Sequence, residues 1–403
     1  MIQNTDQLSF ENTEIAFRHS SNSDLKRAYW LFRVINVNFL VKIGPPLTNF
    51  AMKIGLPIKS IIRATIFKHF CGGESIPGCD KAIKNLYDGG VGTILDYAVE
   101  GEDDELVFDN TRDEIIHTIE RASVNKAIPL TVFKMTGVSR FSLLEKLDAG
   151  VELTTTEEEE WQRIKARVLA ICEKAHSLGI TVMIDAEQTW IQNTIDALVL
   201  DMMRRFNSKK PIVYHTYQLY RNDKLASLKS DHAIAIKEGF ILGAKLVRGA
   251  YMETERLRAA EKGYPSPIHN SKKETDADYD EAENFCTDHI ESIAFVSGTH
   301  NEESCRYLAE LLDKKGIDHK NPHVYFSQLL GMSDNLSFNL AHAQYNVAKY
   351  VPYGPIKAVL PYLFRRAQEN TAIAGQMSRE LALIVKERRR RAEIRGQRSE
   401  VRD

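Results

Sequence analysis

The chain has 403 residues, with 53 Lys and Arg against 55 Asp and Glu for a net charge of −2. That balance excludes the strongly basic face of a nucleic-acid binder, and 43% apolar residues are enough for a sizeable core. Five cysteines (Cys71, Cys79, Cys172, Cys286, Cys305) form no CxxC pair, which argues against a disulfide framework or a zinc site.

Residues 1–85 read as an N-terminal helical segment, because LKRAYWLFRVINVNFL, PIKSIIRATIFKHF and CDKAIKNLYDGG repeat their apolar positions nearer 3.6 than 2. The opening MIQNTDQLSFENTE is acidic and polar, unlike a secretory signal or transit peptide, so a cytoplasmic location is expected. Tyr29 to Ile43 is the most apolar stretch, but Arg33, Asn36, Asn38 and Lys42 interrupt it. It predicts a packing helix, with a membrane-surface helix as the alternative. Gly89-Gly90-Val91-Gly92 lacks GxGxxG spacing and precedes a strand, so it is read as a helix stop.

Residues 86–385 alternate apolar runs with helical patterns. The runs are 91–97, 129–135, 179–186, 211–218, 240–247, 293–300, 323–330 and 346–353. Between them lie stretches such as TRDEIIHTIERAS and TTTEEEEWQRIKARVLAICEKAHSLG, the latter with threonines placed to cap and glutamates in the first turn. Eight strands each followed by a helix predict an α/β fold, a distorted (β/α)8 TIM-type barrel. A doubly wound open sheet is the alternative, without a glycine-rich phosphate loop to support it.

Polar residues gather at one end of these runs: Lys134, Asp185, Gln218, Arg248, Thr299, His300 and Tyr350 fall at or just past the C-terminal ends, where barrel enzymes build their sites. The connections 136–156 and 251–280 exceed ordinary βα loops and are expected to cover or bind something. After the eighth run comes LPYLFRRAQEN, in which Tyr362, Arg366 and Glu369 share one helix face with Arg365 at its edge. Paired guanidiniums over an aromatic floor suit the carboxylate of a small organic acid. The basic tail 386–403 reads as a solvated, frayed helix end, with attraction to anionic lipid as the alternative. No DxDxDG loop is present, and no metal is expected.

GAKLVRGAYMETER (243–256), VMIDAEQT (182–189), THNEES (299–304), YFSQLLGM (325–332), KYVPYGP (349–355) and LPYLFRRAQEN together resemble the proline dehydrogenase family, closest to its stand-alone form. The resemblance runs from about Phe70 to Asn370 and implies an FAD-binding barrel. It implies oxidation of L-proline to Δ1-pyrroline-5-carboxylate, with hydride passing from proline C5 to flavin N5. Electrons would go on to a membrane quinone, with peripheral contact on the inner membrane face. It implies a substrate site of Lys134, Leu329, Tyr350, Tyr362, Arg365, Arg366 and Glu369. Flavin contacts would come from Ala186, Gln218, Arg248, Gly249, Ala250, Thr299 and His300, with Asp185 and Lys245 as catalytic residues. Some bacterial members have Arg where this chain has Lys245 and Lys where it has Arg248, so the charge survives with altered hydrogen-bond geometry. Ser327 stands where some members place a glutamine that contacts the flavin.

On this resemblance, Lys134, Arg365 and Arg366 hold the proline carboxylate and disfavour a charged amine beside them. Leu329, Tyr350 and Tyr362 wall the ring, and the bulk of Tyr350 favours proline over hydroxyproline. Hydroxyproline dehydrogenase is therefore an alternative. A second, of another class, is a Schiff-base barrel aldolase using Lys134 or Lys245.

Overall fold

The computed structural model describes residues 8–35, 58–99, 103–372 and 374–400, with side chains outside 367–378 and 398–400. Eight parallel strands form a closed barrel in chain order: β1 Gly92–Tyr97, β2 Leu130–Lys134, β3 Thr181–Asp185, β4 Val213–Gln218, β5 Leu242–Val247, β6 Ile293–Gly298, β7 Val324–Leu329 and β8 Val347–Tyr353. This is the (β/α)8 barrel expected from the alternating runs. The described helices of eight residues or more, in chain order, are α1 Asn22–Ile35, α2 Asp80–Asp88, α3 Glu105–Ser123, α4 Phe141–Asp148, α5 Thr155–Leu178, α6 Thr189–Phe206, α7 Lys224–Glu238, α8 Met252–Lys262, α9 Lys272–Asp288, α10 Glu302–Lys315, α11 Asp334–His342, α12 Ile356–Ala372 and α13 Ala374–Glu400.

The chain divides into two compact units, one of Met1–Val91, Gln328–Ala343 and Lys349–Asp403, the other of Gly92–Ser327 and Gln344–Ala348. In the second unit, local signals decide where helices start and stop. Thr154 and Glu157 form a reciprocal capping box at the start of α5, and Gly179 ends that helix at φ 66°. Strand side chains alternate: Tyr217 reaches outward to Asp231 of α7 at 2.8 Å, while Thr216 on the other face donates to the Ile184 carbonyl at 2.7 Å. The register of β2 with β3 sets Lys134 beside Asp185, and that of β6 with β7 sets Gly298 beside Ser327.

Two expectations are refined here. The long connection 136–156 contains α4, and 251–280, whose start reads as helical before a Pro-rich stretch, contains α8 and the first half of α9. Tyr350 lies mid-strand, because β8 runs on to Tyr353.

In the first unit, α2 ends at Gly89 and Gly90 turns at φ 78°, which is the helix stop expected of that glycine cluster. Of the stretch Tyr29–Ile43, residues through Ile35 lie in α1, while 36–43 fall outside the described residues. The expected frayed end of the chain does not hold for 386–391. Glu387 is fully buried, and its carboxylate receives Arg390 at 2.8 and 2.9 Å and Arg391 at 2.6 Å. Arg391 also donates to the Phe17 and Ser20 carbonyls at 2.6 and 2.8 Å, so this stretch of α13 is bonded to the N-terminal residues. A buried carboxylate is stable only when its lone pairs are taken, and two guanidiniums take these. No described helix is long and apolar enough to cross a membrane.

The barrel interior leaves no room at Gly243, where an added Cβ would run into the Val213 carbonyl oxygen and the Tyr214 ring. Gly243→Ala is expected to cost about 1–3 kcal/mol, the usual price of overpacking, read as a lower urea midpoint at unchanged slope.

Candidate active site

The C-terminal ends of β2 to β6 carry an organised set of charges in the second unit. Lys134, Asp185 and Gln218 are each the last residue of their strand. Lys245 lies two residues before the end of β5 and is only 6% exposed. Its ammonium meets Asp185 Oδ1 at 2.6 Å, across from β5 to β3. An ammonium removed from water is costly unless a carboxylate compensates it, and Asp185 supplies that carboxylate.

Two buried carboxylates fasten the loops around this pair. Glu187 follows β3 and accepts the Thr136 N–H at 3.0 Å and the Thr136 hydroxyl at 2.6 Å, which ties the β3 loop to the turn after β2. The Glu187 N–H donates in turn to Gln192 Oε1 at 2.6 Å. Glu255 of α8 is fully buried and accepts the Thr189 N–H and hydroxyl at 2.7 and 2.6 Å, tying the β5 connection to the start of α6. Both threonines offer a backbone and a side-chain donor to one carboxylate, a bidentate pattern that fixes direction as well as distance.

Arg248 follows β5 directly. Its guanidinium donates to Asp276 at 2.8 Å, to the Thr299 hydroxyl at 2.6 Å and to the Ser304 hydroxyl at 2.9 Å, and stacks 4.3 Å from the Tyr279 ring centroid. A planar fork stacked on an aromatic face and bonded on three sides has one orientation, which a lysine would lack. Behind Tyr279, Glu283 is fully buried with Ser297 donating to it at 2.7 Å, and burial holds its carboxyl well above the usual range. Asp276 is held below its usual value, where hydrogen bonds and charge from Lys272 and Arg248 outweigh the opposing cost of burial.

The candidate cofactor residues lie on the same strand ends. Gln218 is 1% exposed, and its Oε1 has no hydrogen-bond partner among the described residues. The same holds for the buried Ser327 hydroxyl on β7. Gly249, at φ 141°, is exposed backbone over the Tyr220 ring, where a Cβ would collide with that ring. Ala250 beside it is exposed, Ala186 and His300 are half-buried, and the Thr299 N–H donates to the Ser327 carbonyl at 3.1 Å.

The candidate substrate residues other than Lys134 fall in the first unit. Tyr350 and Tyr362 are buried, while Leu329, Arg365 and Arg366 are half-buried. The Arg366 guanidinium lies 5.4 Å from the Tyr362 ring centroid, one helical turn away, as the spacing of the two predicts. The Glu369 side chain lies outside the described residues.

Sequence reading missed Glu187, Glu255, Asp276, Tyr279 and Ser304. Glu187 and Glu255 stand inside motifs already noted, DAEQT and METER, yet their partners are 51 and 66 residues away. Asp185→Asn removes the carboxylate that compensates Lys245, so it is expected to lower stability by about 3 kcal/mol, measured by denaturant unfolding. Asp185→Leu combined with Lys245→Met should recover most of that loss.

The proline dehydrogenase family's model matches residues 79–379. Mitochondrial proline dehydrogenase 1 of Dictyostelium discoideum is 31% identical over 96% of this chain and 76% of its own length. The carbapenem antibiotics biosynthesis protein CarD of Pectobacterium carotovorum subsp. carotovorum is 34% identical over 80% of this chain and 83% of its own. In structure, proline utilization A from Bdellovibrio bacteriovorus superposes with a TM-score of 0.70 at 20% identity, covering 89% of this chain and 38% of that one. That likeness concerns the fold. With the family's model lying across the whole barrel and relatives matched over most of their length, this chain belongs to the proline dehydrogenase family.

Proposed function

We propose that this chain oxidises L-proline to Δ1-pyrroline-5-carboxylate with FAD as cofactor and a membrane quinone as electron acceptor. The observation that carries the reading is the Arg366–Tyr362 arrangement on α12 within the span matched to the family. A guanidinium poised over a buried phenol ring offers a charged, bidentate seat for a carboxylate with an apolar wall beside it.

The residues on the strand ends fit a flavin. The Gln218 amide and the Ser327 hydroxyl are buried polar groups in want of a partner, and the Gly249 backbone gives close approach without a side chain. FAD, when bound, supplies the acceptor for the hydride leaving proline C5. Ala186, Gln218, Arg248, Gly249, Ala250, Thr299 and His300 are the residues that would hold it. Arg248 comes to that role already oriented by Asp276, Thr299, Ser304 and Tyr279. Lys245 contributes a fixed positive charge, kept in place by Asp185.

On the substrate side, Arg365, Arg366 and Lys134 bind the carboxylate. Their charge favours the neutral amine, whose lone pair must push the hydride out. Tyr350, Tyr362 and Leu329 bound the pyrrolidine ring and orient it, the positioning share of the rate. On this reading the Tyr350 ring lies against C4 of the substrate and takes the space a 4-hydroxyl would need, which favours proline over hydroxyproline. A Schiff-base aldolase acting through Lys245 is disfavoured, because its lysine must offer a neutral nitrogen, whereas the Lys245 ammonium is held by Asp185. Contact with the membrane that holds the quinone would be peripheral.

The purified chain is expected to be yellow and to reduce a quinone analogue with proline as donor; a colourless protein that ignores proline would overturn the reading. Arg366→Ala should keep its colour and lower kcat/KM for proline by about 100-fold or more, the loss expected when one partner of a desolvated charge pair goes. Tyr350→Ser should raise activity on 4-hydroxyproline relative to proline by about 10-fold, the scale of one removed steric block, read from the ratio of kcat/KM values.

A further inference from the structure

Lys349 has no place in that chemistry, yet it is the most deeply buried cation described, with its side chain 0% exposed in the middle of β8. Its ammonium reaches the carbonyl of Leu329 at 3.3 Å, the carbonyl of Met332 at 2.5 Å and Asp334 Oδ1 at 2.8 Å. Three donors are thus placed on three acceptors, all on the turn that carries the chain from β7 into α11. An ammonium in this position substitutes for the water that would otherwise satisfy those carbonyls.

The turn needs such a support. Gly331 sits at φ 80°, and Ser333, which has a side chain, at φ 51° in the left-handed region, a conformation that persists only when its surroundings impose it. Two further groups impose it. Glu380 of α13, also buried, accepts the Ser333 N–H, and the His69 ring nitrogen lies 2.9 Å from the Gly331 carbonyl. The turn is also joined to the strand beside it, since the Leu330 N–H donates to the Tyr350 carbonyl at 2.8 Å. Leu329 and Tyr350, two of the three proposed ring-wall residues, therefore flank one scaffold centred on Lys349.

We propose that Lys349, braced by Asp334 and Glu380, is a positioning residue that fixes turn 330–333 and thereby sets Leu329 and Tyr350 against the substrate ring. This rests on the reading of Leu329 and Tyr350 as walls of the proline site. Lys349 touches backbone and Asp334 rather than substrate, so it governs how tightly and selectively the ring is held, and leaves the cations on the carboxylate unchanged.

The scaffold is also sensitive to pH. Burial pushes the Glu380 carboxyl up from 4.5 to about 7, with Asp334 adding to the rise and Ser333 and Lys349 opposing it. His69 is pushed down to about 4, chiefly by burial, with Asp334 opposing and Arg27 and Lys349 contributing. Across pH 6–8 the group that titrates is therefore Glu380. Its folded value lies above its unfolded one, so the native state binds the extra proton between 4.5 and about 7, and stability falls as pH rises through that window. In the same range the hold on Ser333 changes character: above about 7 a charged acceptor grips the N–H, and below it a weaker neutral one does.

The test uses the full-length flavin-loaded protein with L-proline and 4-hydroxyproline as donors. Lys349→Met is expected to raise KM for proline about 10-fold with kcat within about 2-fold, to narrow the preference over 4-hydroxyproline, and to leave flavin content unchanged. Glu380→Gln keeps an amide oxygen for Ser333 but no longer titrates. Its KM should lack the additional rise of about 2- to 3-fold that the wild type is expected to show as pH falls from 8 to 6 through the Glu380 transition, on top of the slope that the substrate amine gives to both. If Lys349→Met does not fold, Glu380→Gln and Asp334→Asn carry the test through the pH profile and the substrate ratio. The inference is overturned if the folded variants keep wild-type KM, selectivity and pH profile, or if they lose kcat and flavin together, as a merely structural residue would. Those results leave the proline reading standing when the wild type oxidises proline. A wild type inert to proline would instead remove the reading itself.

Discussion

A charge can be kept inside a barrel only with its counter-charge, and the Lys245–Asp185 pair at 2.6 Å is the interaction on which the strand ends of the second unit depend. Parallel strands point alternate side chains inward, so each inward position near a strand's C-terminal end must be filled by something. Here β3 and β5 fill two of them with opposite charges, which need each other more than either needs solvent. Gln218 Oε1 and the Ser327 hydroxyl are among the buried polar atoms of that region in want of a partner among the described residues, with Gln188 Oε1, the Tyr220 hydroxyl and Glu283 Oε2. A buried amide oxygen and hydroxyl without partners call for hydrogen bonds from whatever occupies the site, which accords with the flavin proposed above.

The same economy organises the loops. Glu187 and Glu255 are each buried, each accept two donors from a single threonine, and each join connections that belong to different strands. A carboxylate gripped this way has little freedom, and the loops it joins inherit that rigidity. The Arg248 network extends the pattern with the sign reversed: one guanidinium collects Asp276, Thr299 and Ser304 while stacking on Tyr279. An arginine in place of a lysine here substitutes a directional brace for a mobile point charge, so the exchange of Lys and Arg between 245 and 248 is more than a conserved charge.

Much of the barrel was legible because buried parallel strands read as unbroken apolar runs, and caps such as Thr154–Glu157 are local in sequence. Lys134, Asp185 and Gln218 were legible for the same reason: each closes an apolar run, and the structure makes each the last residue of its strand. The latches were not, since a glutamate's partner 51 or 66 residues away leaves no local periodicity. The connection 136–156 hid α4, a short helix flanked by Gly and polar residues that dilute a 3.6 repeat, whereas the helical start of 251–280 was legible and is α8. Tyr350 was grouped with the strand-end residues although the run 346–353 already extended beyond it, and β8 has the same end, so Tyr350 falls mid-strand.

Lys349 shows the limit of pattern reading most plainly. In KYVPYGP it is one charged residue opening a motif, and a lysine in a strand ordinarily marks a solvent face or an edge. Nothing adjacent reveals that its partners are the carbonyls of Leu329 and Met332 and the carboxylate of Asp334, some 15 to 20 residues earlier in the chain. Its burial follows from what it replaces: a tight turn with two left-handed residues exposes carbonyls that neither strand nor helix satisfies, and an interior cation satisfies them without admitting water. The same reasoning explains why Glu380 and His69 gather there, since each takes one of the remaining groups of that turn. Around turn 330–333, then, buried charge is placed by the backbone's own hydrogen-bonding groups, whereas Lys245 in the second unit is placed by a carboxylate.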